Sequence, residues 1–97
     1  MTKISSDVIR GYNDTIILFL LKDRPSYGYE ISKMIREKSS EKYIIKETTL
    51  YSAFTRLEEN GFVESYSQIA DNGKKRTYYK ITSKGLEYYK EKCNKNA

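Results

Sequence analysis

The chain has 97 residues, 38% of them hydrophobic, enough to close one small core and too little for a second domain of ordinary size. Lysine and arginine exceed aspartate and glutamate by 18 to 13, and the net charge of +5 favours an anionic partner such as nucleic acid or an acidic membrane surface. With no histidine, the sequence lacks the usual neutral-pH base and the commonest metal ligand, which argues against an enzyme and against a metal or other cofactor.

Ser6 to Arg10 carries a short helix signal that Gly11 breaks. Asn13 or Asp14 then offers a cap before Thr15 and the run Ile16-Ile17-Leu18-Phe19-Leu20-Leu21, giving a helix from about residue 14 to Lys22. The run falls far short of the roughly 20 residues needed to span a bilayer, and no signal-peptide pattern precedes it, so a soluble, unprocessed protein is expected. Because the run is apolar on every side, one small core cannot cover it, and a second copy of the chain is the simplest cover.

Beyond Pro25, Ser26 can cap a second helix reaching about Lys38. Tyr27, Ile31, Met34 and Ile35 recur at helical spacing, while Lys33, Arg36, Glu37 and Lys38 face solvent, as in the supporting helix of a helix-turn-helix. Ser39-Ser40-Glu41-Lys42 reads as the turn and Tyr43-Ile44-Ile45 as a short strand. A third helix begins near Glu47 to Thr49 and places Leu50, Phe54 and Leu57 toward the core, until Gly61 ends it in a left-handed conformation.

Thr48, Thr49, Ser52, Thr55, Arg56 and Glu59 are left on the other sides of that helix. Short hydroxyl side chains let a helix backbone approach a groove, and Ser, Thr and Arg can bond phosphates or base edges, although an ordinary polar surface would look the same in isolation. Arg56 has a competing use in an exposed ion pair with Glu59 at i+3. Tyr27 and Tyr51 can donate hydroxyls to phosphates or brace the second helix against the third.

Two strand signals then flank Asp71-Asn72-Gly73-Lys74-Lys75-Arg76. A two-residue Asn72-Gly73 loop would set Glu64 against Ile81. A three-residue Asp71-Asn72-Gly73 loop pairs Val63 with Ile81 and Ser65 with Tyr79, giving one inward face, and is the expected form. Arg76, Tyr78 and Lys80 then share the outer face. From residue 74 to 84 the chain carries Lys74, Lys75, Arg76, Lys80 and Lys84 with no acidic residue, a contact surface for phosphates or, alternatively, a lysine-rich edge that resists aggregation. Thr82-Ser83 caps a last helix, about residues 82–93, through Leu86, Tyr88, Tyr89 and Cys93, before a polar end from Asn94 to Ala97. The lone Cys93 can form no internal disulfide, reads as an incidental or packing thiol, and fits a reducing cytoplasmic setting. Without repeat or linker, residues 1–97 read as one domain.

Three motifs and a wing now resemble the PadR-like transcriptional regulators. They are Asp14-Thr15-Ile16-Ile17-Leu18 with Leu20-Leu21, then Ser26-Tyr27-Gly28-Tyr29-Glu30-Ile31, then Thr49-Leu50-Tyr51 continuing through Ala53, Arg56-Leu57-Glu58 and Gly61. The wing matches at Gly73-Lys74-Lys75-Arg76, Tyr78-Tyr79-Lys80-Ile81-Thr82 and Lys84-Gly85, while Thr48 and Ser52 stand where the family often has glycine and proline. The resemblance implies a mainly α winged helix-turn-helix with a small β-hairpin wing, acting as a homodimeric repressor on double-stranded DNA at a two-fold operator. The third helix would enter the major groove, the wing would contact the backbone, and the N- and C-terminal helices would make the dimer. It also implies that a short member can bind a flat aromatic or cationic effector at the dimer interface.

The expected DNA-binding set is Ser26, Tyr27, Lys46, Thr48, Thr49, Tyr51, Ser52, Thr55, Arg56, Lys74, Lys75, Arg76, Tyr78 and Lys80. Tyr12, Ile16, Leu20, Leu86, Tyr88 and Tyr89 form the expected effector or dimer-interface set. The alternative is a winged helix for small-molecule sensing or protein interaction, with weak or no DNA specificity.

Overall fold

Residues 6–95 are described by a computed structural model, with side chains from Arg10 to Cys93; Asn96 and Ala97 of the expected polar end lie outside the described residues. Helix α1 runs unbroken from Ser6–Leu21, so Gly11 does not interrupt it. Glycine inside a helix costs about 1 kcal/mol relative to alanine, which burial of Ile17, Leu18 and Leu21 along the same helix readily exceeds. Asn13 and Asp14 are consequently mid-helix residues rather than caps, and both are buried.

Strand β1, Ser26–Tyr27, leads directly into α2, Gly28–Lys38. Ser26 therefore does not cap the second helix: its cap position is Tyr27, without a side-chain hydrogen bond. The α2 to α3 connection turns through Ser40 and Glu41, both with positive φ, and Ser39 Oγ accepts the Tyr43 amide at 3.0 Å. Tyr43 to Ile45 is not a strand. Strand β1 takes the place beside β3, and Ile45 drops into the core from an extended segment while Ile44 points to solvent.

Helix α3 spans Glu47–Glu59 and buries Leu50, Ala53, Phe54 and Leu57, the stripe its periodicity requires. Gly61, at φ 77°, closes its end. Strands β2, Val63–Ile69, and β3, Lys75–Ile81, form an antiparallel hairpin, and β1 adds to the far side of β3 to give the order β1-β3-β2. Val63 faces Ile81 and Ser65 faces Tyr79, the register of the three-residue loop. Ala70 and Lys74 close that loop, and Gly73 takes φ 83°. Helix α4, Ser83–Lys95, starts where Thr82 Oγ1 accepts the Gly85 amide at 3.0 Å.

The core lies where α1, α2, α3 and the base of the hairpin meet. At its centre the rings of Phe54 and Tyr79 stack at 3.9 Å and are nearly parallel, fastening α3 to β3. The result is a mainly helical winged helix-turn-helix. No helix among the described residues is long and apolar enough to cross a membrane.

Candidate nucleic-acid interface

Helix α3 presents the hydroxyls as a band because Leu50, Phe54 and Leu57 pin its other side. Thr48, Tyr51, Ser52, Thr55, Arg56 and Glu59 line a shallow open depression along it. Thr48, Ser52 and Thr55 are exposed, and Thr49 is half-buried. The Thr55 hydroxyl donates back to the Tyr51 carbonyl at 3.0 Å, leaving its lone pairs outward.

Arg56 departs from expectation. Its guanidinium turns away from Glu59 and grips Asp14 of α1 with two hydrogen bonds, Nε to Oδ2 at 3.0 Å and Nη2 to Oδ1 at 2.5 Å. This side-chain hydrogen bonding is the main cause holding the Arg56 pKa above its ordinary value. In place of the exposed pair at i+3 that was its alternative to DNA contact, Arg56 forms a half-buried one spanning 42 residues of sequence. A carboxylate in the middle of an apolar helix requires such a partner, and only the folded packing decides which cation supplies it.

Ser26 also departs from the DNA-facing set, since it is fully buried and donates to Glu30 Oε1 at 2.5 Å. Tyr51 braces as well as borders the depression. Its ring lies over the start of α2, so close to Gly28 that a Cβ there would come within 2.4 Å of the Tyr51 hydroxyl oxygen. The cap positions of α2 and α3, Tyr27 and Lys46, supply no side-chain cap. Free first-turn amides carry the positive end of the helix dipole and suit an anion.

On the wing, Lys74 and Lys75 are exposed beside the loop, and successive residues of β3 point to opposite faces, so Lys75 and Arg76 flank the hairpin. The outer face carries an aromatic row that the sequence does not suggest. Tyr27 lies 5.2 Å from Tyr78, which stacks on Tyr66 at 5.7 Å, and the Arg76 guanidinium sits 4.5 Å above the Tyr27 ring. Strand β1 makes this possible by bringing Tyr27 into register with Tyr78. Arg76 is thereby pre-oriented rather than free, and Lys80 stands directly across from Glu64.

The second expected set divides. Tyr12, Ile16 and Leu20 line one groove of about 250 Å³ with Phe19, Ile35, Lys38, Ser39 and Tyr43. Tyr88 instead stacks on Phe62 at 4.2 Å, and Leu86 is half-buried on α4, so neither shares that groove. Tyr89 reaches α1 through Phe19 at 6.2 Å, and a hydrogen bond to Cys93, then burial, raises its pKa. No group of histidine, cysteine or carboxylate side chains among the described residues is placed to hold a metal.

The sequence model of the transcriptional regulator PadR-like family matches residues 17–91. An uncharacterized protein from Lysinibacillus sphaericus is 46% identical over 88 residues, covering 91% of this chain and 81% of its own. The structure of a transcriptional regulator from Clostridium thermocellum superposes with a TM-score of 0.82 at 62% identity, covering 96% of this chain and 87% of that one. A PadR family transcription regulator from Clostridium difficile gives 0.78 at 32% identity, with 87% and 85% covered.

Proposed function

The chain belongs to the PadR-like family of transcriptional regulators, which are DNA-binding proteins rather than enzymes, and from that premise we propose that it is a repressor binding a two-fold operator as a homodimer. One observation carries this reading: the hydroxyl band of α3 stands clear of the core beside a cationic wing. Thirteen residues of helix extend about 20 Å and fit the major groove, where Thr48, Ser52 and Thr55 would meet base edges or phosphates. Lys74, Lys75 and the pre-oriented Arg76 would meet the neighbouring backbone, and the uncapped amides of α2 and α3 would receive phosphates.

Dimerisation is supported by the outer face of α1. Tyr12 and Phe19 are 63% and 42% exposed, large apolar surfaces for a second copy to cover. The adjoining groove supports release by a flat aromatic effector. Its 250 Å³ is below the roughly 300 Å³ at which ligand pockets usually begin, so a partner copy would complete it.

Selection of bound fragments from the source genome tests the proposal. The expected product is a pseudo-palindromic site with half-sites about 34–36 Å apart or a multiple of that, and transcription reduced when the site overlaps a promoter. Recovery of nonspecific DNA alone would refute it.

A further inference from the structure

Two neighbouring polar side chains of α1 are enclosed by the core, and both reach the helix-turn-helix. Asp14 receives the Arg56 fork from α3. Asn13 Oδ1 accepts the Tyr43 hydroxyl at 2.6 Å from the connection that leads into α3. A bidentate guanidinium–carboxylate pair constrains angle as well as distance, because two parallel hydrogen bonds share one plane. The second link joins a short amide side chain to a rigid phenol, so α1 holds both the approach to α3 and its last turn.

Arg56 is the only cation within α3. Left free beside Thr55 and Ser52, it would attract any phosphate regardless of sequence. We propose that Asp14 is a positioning residue for DNA reading: through Arg56 it fixes the angle of α3 against α1 and withholds that cation from the phosphate backbone. The inference rests on the reading above, in which α3 enters the groove and α1 faces the second copy. Under that reading, the angle between α1 and α3 sets how the two recognition helices are spaced, and a small rotation spoils the fit at a half-site.

The discriminating measurement is the ratio of affinities for the selected operator and for a scrambled duplex of equal length, together with its salt dependence. An unfolded fraction lowers both affinities by the same factor, so the ratio is blind to stability and reports geometry. Asp14→Ala and Arg56→Ala should each lower the ratio by roughly ten-fold or more, and the double variant should fall no further than either alone. Asp14→Asn, which keeps the shape and one acceptor, should fall between them and the parent. In Arg56→Ala the slope of log affinity against log salt should stay at the parent value, since Arg56 neutralises no phosphate in the parent. A slope reduced by roughly 0.9 in Arg56→Ala, with the ratio unchanged in Asp14→Ala, would place Arg56 on a phosphate and overturn the inference. An unchanged ratio in every variant would also overturn it. A parent protein whose own ratio is one would instead overturn the operator reading, and the inference would fall with it.

Discussion

Gly85→Ala should destabilise this protein although alanine is the better helix former. A Cβ at residue 85 would lie 2.0 Å from the Phe62 carbonyl oxygen and 2.9 Å from Ile81 Cγ1, whereas ordinary van der Waals separation begins near 3.4 Å. About 1.4 Å must be opened between α4 and the chain entering β2. Neither side yields easily. The Phe62 carbonyl accepts the Thr82 amide at 3.0 Å and its ring stacks on Tyr88, while the Gly85 amide is itself the donor to the Thr82 cap.

Overpacking of this kind costs about 1–3 kcal/mol, and disturbing the cap adds about 1 kcal/mol. The helix preference for alanine offsets about 1 kcal/mol, leaving a net loss near 2 kcal/mol. For a domain of this size that is a fall of about 8–16 °C in Tm, read by circular dichroism at fixed protein concentration. Gly11→Ala is the internal comparison. It sits in the interior of α1 with nothing within 4 Å of the added carbon, and should raise stability by up to about 1 kcal/mol. A Gly85→Ala protein as stable as the parent would refute the close approach of α4 to Phe62.

Three further outcomes are expected. Phe54→Ala removes the ring stacked on Tyr79 at the centre of the core, and urea titration should show a destabilisation of about 3–5 kcal/mol. Replacing Lys74 and Lys75 with alanine should weaken binding to all DNA alike and flatten the salt slope by roughly 0.9 for each phosphate no longer neutralised; an unchanged slope would remove the loop lysines from the interface. Burial, followed by the nearby charge of Glu58, pushes the Tyr79 hydroxyl above its ordinary value near 10. The neutral form is thus favoured in the fold. Its contribution is complete below about pH 10 and is lost as pH rises through the folded value, so denaturant midpoints should fall in that alkaline window, and Tyr79→Phe should lessen the fall.

Helix α3 and the wing are legible in the sequence because both rest on local rules. A helical repeat of Leu50, Phe54 and Leu57 leaves only one side of α3 for Thr48, Ser52 and Thr55. A hairpin register follows from loop length and the need to keep Val63 and Ile81 on one face. The left-handed Gly61 and Gly73 likewise follow from residue type and position.

Partnerships between distant residues are not legible in this way. In sequence Asp14 has the character of a cap, because a polar residue before an apolar run usually is one, and Gly11 has that of a break. Only packing of α1 against α3 places the Asp14 carboxylate beside Arg56 and makes an unbroken helix the lower-energy arrangement. Ser26 and Tyr27 are too short a pair to carry a strand signal, yet the free edge of β3 recruits them and so builds the row from Tyr27 to Tyr66. Local periodicity determined which face of each element is free, and tertiary packing decided which polar groups on those faces remain available to a partner, because a hydrogen bond satisfied across the core is withdrawn from the surface.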